Sequence, residues 1–369
     1  MFTEKKPTKN ATIELMRFIF ASAIVLFHAG RDVWEKRKIV GMIGHFGISF
    51  FRRGYYGVEF FFLLTGLLMA ASIRRTMEKP KAGHVPVGEE TVSFLGRKLK
   101  GILPYYLTAC GLMILVDLWL GIGLKKIAEK LPSILFLNRF GFTKESLLSV
   151  GWYLAAMLFA LVVVYPLCRT FYGTYTTVIA PLAGLLILGM LVHETGDLVE
   201  VRDWTWFTYK TNLRAVAEVG LGTTCFEIAR RLEGKTFSSG KRALFSLIAF
   251  SGFAGTLMYM ASFMSKSKGW IVILLLCPAL VITWSRIGFI GRSGVLQRRF
   301  FVFLGSISLP LYLFQNIPRA VVPVAMKNMR PGVRAVSVYF ISLVLALIMH
   351  SLLKVTGAPF GMRWHRRCR

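Results

Sequence analysis

The sequence predicts an all-α, polytopic membrane protein with about ten transmembrane helices, and three observations carry that expectation. Hydrophobic residues make up 55% of the 369, and the mean hydropathy of +0.57 lies well above the range of soluble domains. Apolar runs of roughly twenty residues, the length a helix needs to cross hydrocarbon, recur along the chain. Lysines and arginines cluster between those runs, so the formal charge of +28 fits lipid headgroups and the positive-inside bias. No nucleic-acid motif accompanies the charge, and the expected partner surface is the lipid bilayer.

The candidate spans lie near residues 12–30, 57–73, 101–121, 148–168, 174–192, 213–229, 243–263, 269–285, 301–324 and 335–353. The first follows a basic segment, "MFTEKKPTKN", but lacks a signal-peptidase site, so it reads as a retained helix. The second ends in Arg74 and Arg75, and a basic stretch, "RKLK", leads back into the third. The fourth opens with Trp152 and Tyr153, and the fifth is plainly apolar. The sixth is the weakest, because Arg214, Glu218 and Glu227 must face protein or water if it spans. The seventh and eighth are apolar, Pro318 interrupts the ninth, and the tenth precedes a basic tail, "GMRWHRRCR", suited to anionic lipid.

An even number of spans puts both termini on one side, and the larger share of Lys and Arg favours the cytoplasm for that side. The whole chain, 1–369, reads as one membrane-embedded domain with no appended soluble domain. Five scattered cysteines, Cys110, Cys168, Cys225, Cys277 and Cys368, show neither a disulfide framework nor metal-ligand spacing, so no metal is expected.

Two ionisable residues sit inside the first span, Arg17 and His28. Eleven residues at 100° each leave them about 20° apart in azimuth and about 16 Å apart along the axis, on one helix face. With the N-terminus inside, this stripe presents a cation low in the membrane and an imidazole high in it. Glu59 opens the second span at about the depth expected for His28, where a carboxylate could fix the imidazole tautomer. Asp117 and His350 are isolated in apolar spans and read as structural hydrogen-bonding groups, while His45 and His84 read as loop residues.

These residues resemble the acyltransferase-3 family of integral membrane acyltransferases, through several motifs in the family's order. "RFIFASAIVLFH" reproduces an Arg, ten residues and a His; "GVEFFFLLTG" satisfies a G-V-[DE]-x-F-F-x-x-[ST]-G pattern; "RKLKGILPYYL", "GWYL" and "LRAVAEVGLG" follow. Near the C-terminus "SISLPLYLFQNIP" places Gln315 where the family commonly has a histidine, and an amide cannot take up a proton near pH 7.

The resemblance implies transfer of an acyl group, most simply acetyl, from cytoplasmic acyl-coenzyme A to a hydroxyl of an extracytoplasmic cell-surface glycan. Acyl-coenzyme A is then a co-substrate, with its phosphates on Arg74, Arg75, Arg97 and Lys98 and its arm running past Arg17. His28 acts as general base or transient nucleophile and Glu59 orients it. Trp152, Tyr153, Arg214 and Gln315 become candidate substrate contacts, joined by Arg319 beyond the Pro318 interruption. Without a fused esterase-like domain, the acceptor meets the membrane site directly or a separate relay protein carries the acyl group. A transporter or flippase would also use buried charges and some ten spans, but no internal repeat is visible in the sequence.

Overall fold

A computed structural model describes residues 10–36, 53–78, 85–143, 145–198, 203–261, 268–290 and 298–355. His45, His84, Cys368 and the basic tail lie outside them. The described chain is a bundle of helices with one two-stranded hairpin, β1 (Trp204–Thr205) and β2 (Thr208–Tyr209), paired antiparallel. Seven helical segments are long and apolar enough to cross a membrane: α1 (its apolar part Ala11–Gly30), α2 (Gly57–Met77 after a 3₁₀ turn), α3 (Val87–Trp119), α4 (Trp152–Thr170), α5 (Tyr172–Thr195), α7 (Ser239–Ala261) and α11 (Pro331–Val355). A bent pair, α9 (Arg299–Phe314) and α10 (Asn316–Ala325), passes the same test together. Two more, α6 (Lys210–Leu232) and the 17-residue α8 (Gly269–Ser285), complete the ten expected segments.

The weak sixth segment crosses the bundle interior. α6 packs against α2, α4, α5 and α8, and most of its residues are buried. Its charges are matched inside the protein: Lys210 reaches Thr195 and Asp197, Arg214 reaches Glu59 and Glu218, and Glu227 holds Arg230 and Arg231. A polar helix is thereby kept from lipid, as buried charges require.

Glycines set the closest crossings. At Gly66 on α2 a methyl group would overlap the Val219 carbonyl of α6, and at Gly222 on α6 one would overlap the Leu63 carbonyl of α2. The two backbones therefore touch. The "TG" of the second span and the glycine eight residues after Arg214 are a packing device. Similar close approach fixes the α1–α2 register, with Gly54 against Ala23 and Phe27 and Gly57 against Phe20 and Ile24.

Two expectations shift. The ninth segment bends by 55° at Gln315, not at Pro318 itself. Pro318 has no N–H to donate to the Phe314 carbonyl four residues back, so the helix ends at Phe314 and restarts at Asn316. The third helix starts at Val87, well before residue 101, so "RKLK" lies on a helix and not in a loop.

Candidate functional site

At the end of the bundle where α1 starts, α1, α2, α6 and α8 surround a cavity of 570 Å³. α1 begins at Asn10, whose side-chain oxygen accepts the Ile13 amide at 3.3 Å while its amide nitrogen donates to the Thr283 carbonyl of α8 at 2.8 Å. That cap ties the start of α1 to the end of α8. Five arginines line the cavity: Arg17 of α1, Arg74 and Arg75 of α2, Arg230 of α6 and Arg286 just after α8. Arg17 pairs with Glu14 at 2.8 Å, Arg74 with Glu78 at 2.8 Å, and Arg230 holds Glu227 through two hydrogen bonds of 2.8 and 3.0 Å. Helix directions place Arg17, Leu64 and Leu68 at the membrane-ward end, and Arg74, Arg75, Arg230 and Arg286 at the mouth.

Two of the four cations expected to hold phosphate thus line the cavity and two do not. Because "RKLK" is helical, consecutive residues diverge by about 100°. Arg97 is exposed and donates to Ser93 at 2.6 Å, one turn back on its own helix. Lys98 turns inward, within electrostatic reach of Arg17, without lining the cavity. Arg230 and Arg286 were missed, since a cation at the end of an apolar run reads equally well as a lipid-facing one.

His28 lies on α1 about 16 Å beyond Arg17 by helix rise. It is half-buried, and its ring stands 5.0 Å from that of Phe27. The expected Glu59–His28 pairing gives way to another. Glu59 is fully buried and binds Arg214 of α6, while Arg214 also donates to Glu218 at 2.8 Å and to the Leu198 carbonyl at 2.8 Å. The reason is register: Gly57 sits against Phe20 and Ile24, so Glu59, farther down α2, lies about two turns below His28. Arg214, proposed from sequence as a substrate contact, is a buried ion-pair centre that locks α2 to α6.

Gln315 stands at the break of the ninth segment, fully buried, donating to the Tyr312 carbonyl at 2.8 Å. α9 runs parallel to α1 with Gly305 against Glu14, so ten residues on, Gln315 lies near the level of Ile24, about one turn below His28. Its side-chain oxygen is buried without a hydrogen-bond partner among the described residues, an acceptor suited to a ligand hydroxyl. Nearby, Arg319 donates to Ser149 at 2.9 Å, and Ser149 donates to Asn316 at 2.8 Å, joining α10 to the turn before α4.

Tyr153 connects the two levels. Its hydroxyl lies beside Thr65 and within charge range of Arg17 and Glu218, and its ring meets those of Phe62 at 4.8 Å and Tyr312 at 5.8 Å. Trp152 is buried edge-to-face against it at 6.4 Å. Asp117 pairs with Lys130 at 2.7 Å. His350 contacts the Tyr105 hydroxyl at 3.0 Å and Ser306 at 3.3 Å, so both ring nitrogens are occupied by neighbouring helices.

The geometry thus sets an arginine-walled cavity at one end of the bundle and an imidazole on the same helix stripe about 16 Å farther along it. Comparison with curated proteins and with solved structures returns no match. A family model described as an acyltransferase domain matches residues 10–353, nearly the whole described bundle. The chain belongs to the acyltransferase-3 family and is a membrane acyltransferase.

Proposed function

We propose that the protein takes an acyl group, most simply acetyl, from acyl-coenzyme A entering the cavity from the cytoplasm, and passes it to a hydroxyl of an extracytoplasmic glycan. The observation that carries the reading is the stripe of α1, which puts Arg17 in the cavity wall and His28 about 16 Å beyond it. Five arginines at the cavity suit the phosphates of the donor, and the apolar end at Leu64 and Leu68 suits its thioester arm. In this reading both termini are cytoplasmic, and the basic face of the bundle meets the inner leaflet.

His28 accepts the acceptor's hydroxyl proton as its oxygen attacks the thioester carbonyl. The C–S bond then breaks, and the departing thiolate takes a proton from the imidazolium, leaving an ester and free coenzyme A. Attack by His28 itself, followed by transfer to the hydroxyl, balances equally well. Glu59 contributes by holding α2 on Arg214, and so positions the wall facing His28 without touching it. Gln315 and Arg319 offer hydrogen bonds to the acceptor near the break of the ninth segment.

The test is transfer from radiolabelled acetyl-coenzyme A in inverted vesicles carrying the wild type, His28→Ala or Arg17→Ala, with label followed into the lumenal glycan fraction. A positioned base is typically worth 10²- to 10⁴-fold. The expected result is transfer by the wild type and a loss of that order in His28→Ala, with normal membrane insertion. Full activity in His28→Ala would overturn the assignment of the base.

A further inference from the structure

The mouth of the cavity carries more recognition than a pyrophosphate requires. Arg74 and Arg75 come from α2, Arg230 comes from α6, and Trp284 and Arg286 come from the end of α8. Arg286 follows α8 in a left-handed conformation, φ 54° and ψ 27°. Glycine takes that conformation at a helix end without penalty, whereas a long side chain there is uncommon. A strained arginine whose side chain lines a cavity points to a function for the side chain. Two residues earlier, Trp284 is half-buried on the same wall, edge-to-face with Phe226 at 6.0 Å. Arg230, which also lines the cavity, is engaged by both carboxylate oxygens of Glu227.

We propose that Trp284 seats the adenine base of the donor and Arg286 takes the phosphomonoester on its ribose, making this pair the determinant of nucleotide-bearing donors. The base and the 3′-phosphate of coenzyme A hang from one ribose, and Trp284 and Arg286 lie within one turn of one helix end, so a single bound nucleoside can meet both. The assignment rests on the coenzyme A reading above. It adds that the site distinguishes coenzyme A from its dephospho form, and either of them from a bare phosphopantetheine arm.

The experiment compares acetyl-coenzyme A, acetyl-dephospho-coenzyme A and acetyl-4′-phosphopantetheine as donors for the wild type, Trp284→Ala, Trp284→Phe and Arg286→Gly, with coenzyme A binding measured in parallel by calorimetry. Arg286→Gly keeps the left-handed backbone available, so folding is preserved. A charge-assisted hydrogen bond and a base–aromatic stack are each worth about tenfold or more in affinity. Arg286→Gly is expected to raise KM for acetyl-coenzyme A about tenfold or more and KM for the dephospho donor by less, so that the preference between the two donors is lost. Trp284→Ala is expected to raise KM for both nucleotide donors and not for acetyl-4′-phosphopantetheine, with Trp284→Phe retaining most of the affinity. Equal effects of Arg286→Gly on the first two donors, or of Trp284→Ala on all three, would overturn the assignment. A wild type that transfers acetyl with equal KM from all three donors would also overturn it while leaving the acyltransferase intact. A wild type that neither binds coenzyme A nor uses any of the three donors would remove the donor reading itself.

Discussion

Arg214 stands at the centre of the buried ion pairs that join α2 to α6. It is almost fully buried and carries Glu59 of α2, Glu218 of its own helix and the Leu198 carbonyl. Arg214→Ala leaves two buried carboxylates facing one another without a counter-charge. Breaking a buried pair by removing one partner costs about 3–5 kcal/mol. Scaled by chain length, with an unfolding entropy of about 2 cal/mol/K per residue, that lowers Tm by about 4–7 °C. Glu59→Gln has the opposite electrostatic sense, because it leaves one guanidinium with one carboxylate and an amide oxygen that still accepts a hydrogen bond. Its cost should stay within about 1–2 kcal/mol. The assay is the fraction of each variant that stays monodisperse in mild detergent after heating, alongside donor transfer in vesicles. Arg214→Ala should lose assembled protein and transfer together, and Glu59→Gln should keep the assembly. An Arg214→Ala variant of wild-type Tm that lost only transfer would refute the structural reading and return Arg214 to the substrate contacts.

Gly66→Ala and Gly222→Ala should each destabilise by about 1–3 kcal/mol or more, because the added methyl meets a backbone carbonyl of the facing helix. Gly111→Ala on α3, where nothing lies within 4 Å, should stabilise by about 0.5–1 kcal/mol. Thermal melts of the three variants check the contrast. Gln315→Ala should raise KM for the acceptor and leave kcat within about threefold, since an amide moves no proton. A hundredfold fall in kcat with an unchanged KM would instead give Gln315 a part in the chemistry.

How far the sequence reached can be judged at particular residues. Seven of the segments and the bent ninth were readable because hydrocarbon thickness fixes a length that composition reveals, whereas the polar sixth and the 17-residue eighth are helices that fall short of that test. The Arg17–His28 stripe was readable because helical azimuth follows from spacing alone. Glu59 was not, because depth along two antiparallel helices depends on their relative slide, and Gly54 and Gly57 set that slide through backbone contacts that hydropathy does not record. Arg97 and Lys98 were grouped by charge, while the start of α3 at Val87 turned one outward and the other inward. Trp284 and Arg286 carried no signal of their own, since only the meeting of α1 with α8 gives them a cavity to face.

The separation of the cavity from His28 leads to a last prediction. His28 does not line the cavity, and the chain between the two levels is filled by stacked Phe20 and Phe60, by Phe61 and Phe62, and by Tyr153 beside Thr65. On the proposed coenzyme A reading, a thioester reaching His28 would displace part of this layer, and until then the layer would keep water of the acceptor side away from the donor. Tyr153 is the member with a polar tip between Arg17 and Glu218, so its removal opens the layer where charge can draw water in. Tyr153→Ala should therefore raise acceptor-independent hydrolysis of acetyl-coenzyme A several-fold while lowering transfer. Tyr153→Phe, which keeps the ring, should leave hydrolysis near the wild-type level. The measurement is release of free thiol in vesicles with and without acceptor. If Tyr153→Ala lost transfer with no rise in hydrolysis, the aromatic layer would not be the barrier, and the contacts of Tyr153 with Phe62 and Tyr312 would account for its part as packing alone.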